Sequence, residues 1–178
     1  LTSQTTKFNS MQDGQTDPTK TVEDKYSRKN TNIALVVGKE FRKGESRLQG
    51  FYGYQGGLGL MGSSTSYEYG NAYSSTNTNP TDRNFNGNIM GTSRLLSNKN
   101  GKTISVMAGG FVGAEYFVLP KVSIGGELSW MLRYSTTGSG TREVESWDAA
   151  NTAVKTTETE TAGGSFFGAN NYGGSLYI

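Results

Sequence analysis

The chain contains no cysteine and no histidine, and proline occurs only 3 times in its 178 residues. Without cysteine it can form neither a disulfide framework nor a thiolate zinc site. Without histidine it lacks the side chain that most often transfers protons near neutral pH and most often binds metals. No nucleophile stands in a recognisable pairing with a base. The sequence therefore predicts that the protein is not an enzyme and binds no cofactor or metal.

Long hydrophobic runs and an excess of one charge are also missing. No stretch approaches the roughly 18–20 consecutive apolar residues of a transmembrane helix. The 17 basic and 15 acidic residues leave a formal charge of +2, which is too balanced to indicate nucleic acid as a partner. Glycine is abundant instead, with 25 residues. The segment GLGLMG at residues 57–62 matches the glycine fingerprint of dinucleotide sites, but no helical pattern follows it, so we assign these glycines to close strand packing.

The clearest pattern lies in residues 103–134, TISVMAGGFVGAEYFVLPKVSIGGELSWMLRY. Apolar side chains alternate with small, polar or charged ones on both sides of a break at Leu119, Pro120 and Lys121. Side chains of a strand point alternately to opposite faces, so this pattern predicts two long antiparallel strands joined by a tight turn. Each strand has one apolar face and one face of small or polar residues.

Similar but weaker alternation predicts three further strands, at residues 32–42, 47–62 and 165–178. Polar stretches rich in Ser, Thr and Asn separate the strands, and we expect them to be long extracellular loops: residues 2–30, 63–102 and 135–164. Tight turns that alternate with long loops are typical of outer-membrane barrels.

Two architectures fit one-sided strands. In a soluble β-sandwich the apolar face is the core, whereas in a transmembrane barrel it contacts lipid. The predicted strands are longer than the usual 5–6 residues of soluble strands and long enough for the roughly 9–11 residues of a membrane strand. We therefore expect an all-β protein, an antiparallel up-and-down transmembrane β-barrel. Five strands are visible, while bacterial barrels have even numbers. We expect a single domain over residues 1–178, an eight-stranded barrel whose first strands precede the given sequence.

Two segments carry a resemblance to a known family. GAEYFVLPKVSIGGELSW and RLQGFYGYQGGLGL resemble strands of the small outer-membrane β-barrel proteins of Bacteroidota, the porin-like or outer membrane beta-barrel families. The resemblance covers the strands and leaves the loops unmatched. It implies a location in the bacterial outer membrane and implies little about activity. The end of the chain at Tyr177 and Ile178 departs from the aromatic last residue that is common in such families.

Charged residues on the polar faces form the first candidate site: Glu40, Arg47, Glu115, Glu127 and Arg133. If the apolar faces contact lipid, these side chains point inward. A buried charge is costly unless it is paired, so we expect Arg47 to form an ion pair with Glu40, Glu115 or Glu127. The set is interpreted as a structural network that fills the barrel, with a gate or proton-responsive constriction as the alternative.

Aromatic residues on the apolar faces form the second candidate site: Tyr52, Tyr54, Tyr116, Trp130, Tyr134 and Tyr172. Tyrosine and tryptophan favour membrane interfaces, so these residues predict an aromatic belt. We expect Leu58, Val106, Ile124 and Leu128 to face lipid with them. In a soluble sandwich all of these side chains would belong to the core.

The sequence favours a structural or accessory subunit of a larger outer-membrane assembly, acting through its loops or its outer wall. The expected partners are outer-membrane lipid and other outer-membrane proteins. The first alternative is a small porin-like channel, although Phe51, Met107 and Phe111 would crowd its interior. The second alternative is a soluble β-sandwich adhesin or binding module.

Overall fold

The computed structural model describes residues 1–44, 46–82 and 93–177, with side chains up to residue 169. This part of the chain contains no helix and nine strands: β1 (Thr2–Met11), β2 (Thr21–Lys43), β3 (Leu48–Glu68), β4 (Ser93–Lys99), β5 (Thr103–Leu119), β6 (Val122–Thr137), β7 (Gly140–Asp148), β8 (Ala153–Thr161) and β9 (Gly164–Tyr177).

The nine strands belong to one sheet in the order β8-β7-β4-β3-β5-β6-β9, and β2 pairs with β1 and β3. The pairs whose registers are described are all antiparallel. Within the described ranges no pairing closes the sheet on itself. The prediction of an all-β antiparallel protein is confirmed, whereas the closed barrel and its eight strands stay predictions.

The chain divides into two compact units. Unit 1 comprises Leu1–Thr31, Gly62–Lys102 and Gly138–Gly163, and unit 2 comprises Asn32–Met61, Thr103–Thr137 and Gly164–Ile178. β2 and β3 contribute residues to both units. Unit 2 contains the five strands predicted from alternation, and unit 1 contains most of the three predicted polar stretches.

Unit 2 is built around the hairpin of β5 and β6. Its register continues from Thr103↔Thr137 to Phe117↔Ser123 without interruption, and the turn falls at Pro120 as predicted. β3 pairs with the other side of β5, and β9 pairs with the other side of β6. β5 and β6 are 17 and 16 residues long, well beyond the usual length of soluble strands.

Two reciprocal phenylalanine–glycine pairs explain glycines in the middle of this unit. Phe51 pairs with Gly113 across β3 and β5, and Gly53 pairs with Phe111. Each ring occupies the space that a Cβ on the facing glycine would need. The two ring centroids are 6.4 Å apart. A larger residue at either glycine would displace a ring, which explains why glycine stands here despite its low strand propensity. The GLGLMG segment likewise lies within β3 and opens no helix.

Unit 1 is rich in strands rather than irregular loops. β1 pairs with the first part of β2, β4 pairs with β7, and β7 pairs with β8. β8 has the sequence AVKTTETET. Both of its faces are mainly polar, so no alternation of apolar residues identifies it as a strand. Threonine is β-branched and suits an extended backbone. The threonine-rich sequence of β8 therefore favoured a strand, but the prediction relied on apolar alternation and missed it.

Candidate functional site

The apolar faces of the unit 2 strands are exposed. Leu58, Val106, Ile124 and Leu128 leave 59%, 53%, 46% and 58% of their surfaces uncovered. The opposite face, called the inward face here, is largely covered on β3, β5 and β6. Its buried side chains include Phe51, Met107, Met131, Ser105, Ser135 and Glu115. A half-solvated antiparallel sheet normally buries its apolar face and exposes its polar face, so β3, β5 and β6 show the reverse arrangement.

The aromatic residues predicted for the belt share this exposure. Those with described side chains expose 45–59% of their surfaces: Tyr52, Tyr54, Tyr116, Trp130 and Tyr134. The backbone of Tyr172 pairs with Ser129, and its side chain lies outside the described residues. Exposed aromatic and aliphatic side chains therefore continue along β3, β5 and β6 as one extended apolar surface.

Three aromatic rings on β2 and β3 cluster on the same surface. Phe41 stacks on Tyr52 with ring centroids 5.4 Å apart, and Tyr54 lies 6.2 Å from Phe41. The Lys39 ammonium lies 5.1 Å from the centroid of the Phe41 ring. A cation above an aromatic face is attracted by the ring electrons. The exposed face thus carries a cation next to its aromatic cluster.

The charge network on the inward face is organised by Arg42. Arg42 Nε lies 2.6 Å from Glu40 Oε1, and Arg42 Nη1 lies 2.8 Å from Glu115 Oε2. The Ser123 hydroxyl donates to the other carboxylate oxygen of Glu115. The guanidinium also lies over the ring of Phe51, 5.9 Å from its centroid. One arginine therefore neutralises two carboxylates while covering an apolar ring.

Arg47 does not take this role, so the prediction that it pairs with one of the carboxylates is wrong. In the described part of the chain Arg47 forms no ion pair, and its side chain is exposed. It lines a pocket of about 390 Å³ with Phe117, Leu119 and Pro120. Arg42 follows Glu40 by two residues on β2 and so shares its face. Arg47 precedes the first residue of β3, where strand alternation no longer fixes its direction.

The remaining charges of the predicted set lie apart from this network. Glu127 and Arg133 are partly exposed. Arg133 Nη2 lies 3.6 Å from the sulfur of Met107. The structure therefore joins Glu40 and Glu115 through Arg42 and does not bring Glu127 or Arg133 to them. The inward direction of Arg42 could have been predicted from the sequence, because Arg42 lies two residues after Glu40 on β2 and so shares its face.

Unit 1 has a polar core centred on Arg94, which the sequence did not reveal. Its guanidinium binds Glu145 through Nε (2.9 Å) and Nη2 (2.7 Å), and Nη1 donates to the carbonyl of Asn71 (2.7 Å). The rings of Tyr69 and Tyr73 each lie 4.5 Å from the guanidinium carbon. Burial raises the pKa of the Tyr69 hydroxyl, which donates to the carbonyl of Leu95. Within the described residues, the core of unit 1 is thus a satisfied hydrogen-bonded network.

A second polar network anchors the β1–β2 turn in unit 1. Asp13 accepts hydrogen bonds from the Asn77 side chain (2.7 Å) and the Thr81 backbone (2.8 Å). Asn71 in turn donates to the carbonyls of Met11 and Thr81. Burial alone would raise the pKa of the Asp13 carboxyl, but these hydrogen bonds outweigh it and lower that pKa. The turn is therefore held by an ionised aspartate.

β8 offers an open strand edge. Among the described residues it pairs with β7 alone, in a register without a bulge. All nine of its residues are exposed. Edge strands leave backbone N–H and C=O groups unpaired and are usually shielded by bulges, charges or short length. Its charged residues are Lys155, Glu158 and Glu160, and its outer backbone edge is unpaired among the described residues.

In the described part of the chain there is no helix long and apolar enough to cross a membrane. No group of three or more acidic side chains in the described residues is arranged to hold a metal ion. No protein family, curated protein or solved structure matches the chain. The function is therefore inferred from the geometry of the two units.

Proposed function

We propose that this protein is a structural subunit of the bacterial outer membrane, in which unit 2 forms part of a β-barrel wall. The single observation that carries the proposal is the inverted burial of β3, β5 and β6 in unit 2, where the apolar faces are open and the polar and glycine-containing faces are largely covered. Lipid is the solvent that stabilises such a surface.

The extent of the apolar surface supports lipid rather than water. Soluble monomers rarely expose a contiguous apolar patch beyond roughly 300–600 Å². A tyrosine or tryptophan that is half exposed contributes on the order of 100 Å². The half-exposed side chains of β3, β5 and β6 include Tyr52, Tyr54, Tyr116, Trp130 and Tyr134, together with Leu58, Val106, Ile124 and Leu128. This set alone exceeds the limit for a soluble surface.

The inward face supports a structural role over a channel. Phe51, Phe111 and Met107 occupy it, and Arg42 links Glu40 to Glu115 across it. An interior of eight strands is just wide enough to be filled by side chains. A wall with this lining leaves little room for solutes, which is why we place the small channel second.

An accessory role in a larger assembly is supported by the exposed edge of β8. Within the described residues, unit 1 presents a nine-residue strand with one unpaired backbone edge. Addition of a partner strand to such an edge is a common mode of protein recognition. We therefore place the binding of other outer-membrane proteins in unit 1 and the contact with lipid in unit 2.

The test is to isolate the intact protein from its native membrane in mild detergent and to measure its native mass, its need for detergent and its conductance in planar bilayers. We expect a detergent-dependent protein that copurifies with other membrane proteins and conducts no ions. A conducting monomer without a partner would favour the channel. A monomer that stays soluble without detergent would overturn the membrane assignment and favour the soluble adhesin.

A further inference from the structure

Two lysines interrupt the apolar face of β2. The strand exposes Ile33, Leu35 and Val37, and alternation then places Lys39, Phe41 and Lys43 on the same face. Among the described residues of unit 2, these lysines are the only charged side chains on the apolar faces of the strands. A charge on a lipid-facing surface is costly and usually functional.

Phe41 lies between the two lysines on this face, and the Lys39 ammonium contacts its ring. The Lys39 ammonium leans along the strand and lies 5.1 Å from the centroid of Phe41, the residue between it and Lys43 on this face. Phe41 is held in turn against Tyr52, with ring centroids 5.4 Å apart. Lysine is a flexible point charge on a four-carbon stem, so the two ammonium groups can approach one anion above Phe41.

Neither lysine forms an ion pair with a described carboxylate. The nearest carboxylate along the strand, Glu40, lies on the inward face and binds Arg42. An ammonium in apolar surroundings requires a counter-charge. On a surface covered by lipid, the anion within reach is a headgroup phosphate.

We propose that Lys39 and Lys43 bind the phosphate of an anionic phospholipid, while Phe41 and Tyr52 pack against its glycerol and the upper part of its acyl chains. This inference rests on the proposed function, because it requires the apolar face of β2 to contact lipid. It adds a ligand class and a location, on the side of the membrane where β2 turns into β3.

The depth of the site agrees with this assignment. Lys39 precedes Gly44, which follows the last residue of β2, by five positions, and at about 3.3 Å per residue this separation is roughly 16 Å along the strand. With a tilt of about 40° it becomes about 12 Å along the membrane normal. Because the Lys39 ammonium leans toward Phe41, its own distance from the end of β2 is shorter still. Lysines near the end of a membrane span reach the headgroup region in this way.

The experiment measures binding of phosphatidylglycerol to the detergent-purified intact protein by native mass spectrometry, with phosphatidylcholine as the neutral lipid. Lys39→Gln and Lys43→Gln are compared singly and together. The control is Lys121→Gln, which removes the same charge from the β5–β6 turn outside the aromatic cluster. Each basic residue near an anionic lipid surface contributes about fivefold to association. We expect about fivefold weaker phosphatidylglycerol binding for each single variant and nearly unchanged binding for Lys121→Gln.

Two results would overturn the site. The first is unchanged phosphatidylglycerol binding by both single variants. The second is an equal loss of binding in Lys121→Gln, which would show that the lipid responds to positive charge in general and not to this site. The single variants decide the question even if the double variant does not fold. A wild-type protein that needs no detergent would contradict the proposed function itself, whereas a detergent-dependent protein with unaffected single variants would contradict the lipid site alone.

Discussion

Replacement of Leu128 by arginine separates a lipid-facing wall from a surface in water. Leu128 lies in the middle of β6, pairs with Val112 and exposes 58% of its surface. In water the loss of the covered remainder would cost at most about 1 kcal/mol, and the arginine stem would recover part of it. In lipid, near the midplane, an arginine on the outer face of a barrel costs about 2–4 kcal/mol. We expect Leu128→Arg to lower the free energy of unfolding by about 2–4 kcal/mol, the loss typical of a lipid-facing position.

The assay is reversible urea unfolding in lipid vesicles, followed by tryptophan fluorescence. Val154→Arg in β8 is the matched control, because Val154 exposes 45% of its surface and lies in unit 1, which we place in water. Its free energy of unfolding should change by less than about 1 kcal/mol. Equal, small losses for the two variants would show that Leu128 is surrounded by water and would refute the membrane wall.

Three further perturbations test the polar networks. Arg42→Met should lower the free energy of unfolding, because the Glu115 carboxylate loses its partner, whereas Arg47→Met should change it by less than about 0.5 kcal/mol; equal losses in denaturant titrations would contradict the assignment. Arg94→Met should cost about 3–5 kcal/mol by leaving Glu145 unpaired in a buried site, and a loss below 1 kcal/mol would show that the network is dispensable. The pKa of Asp13 is lowered from its ordinary value of 3.8, so its stabilising contribution is present above that pH and is lost as pH falls through the lowered pKa. Asp13→Asn should therefore make the melting temperature less dependent on pH below about 4, and an unchanged slope would exclude this role.

Much of unit 2 could be predicted from alternation alone. A strand repeats every two residues, so a one-sided pattern fixes which side chains share a face. The turn at Pro120 and the inward direction of Glu115 follow from this rule. The pairing of Arg42 with Glu115 does not, since their distance depends on the register between strands that are 73 positions apart in the sequence. Arg47 appeared equally suitable until that register was known.

Unit 1 was harder to predict because its strands carry no apolar face. β8 alternates threonine with charged residues, and such a sequence is compatible with a solvated loop or with an edge strand. Its pairing with β7 decides between them. Arg94 likewise stands in a segment without apolar periodicity, and only the fold places it between Tyr69 and Tyr73.

The sequence by itself determined that the protein is an antiparallel β-protein with one-sided strands, because local alternation depends only on the geometry of the extended chain. It also excluded thiol and imidazole chemistry by composition. The tertiary structure decided which face is open, which arginine meets the carboxylates and where Lys39 stands relative to Phe41. These properties arise from contacts between segments distant in sequence, whose register and burial no local pattern encodes.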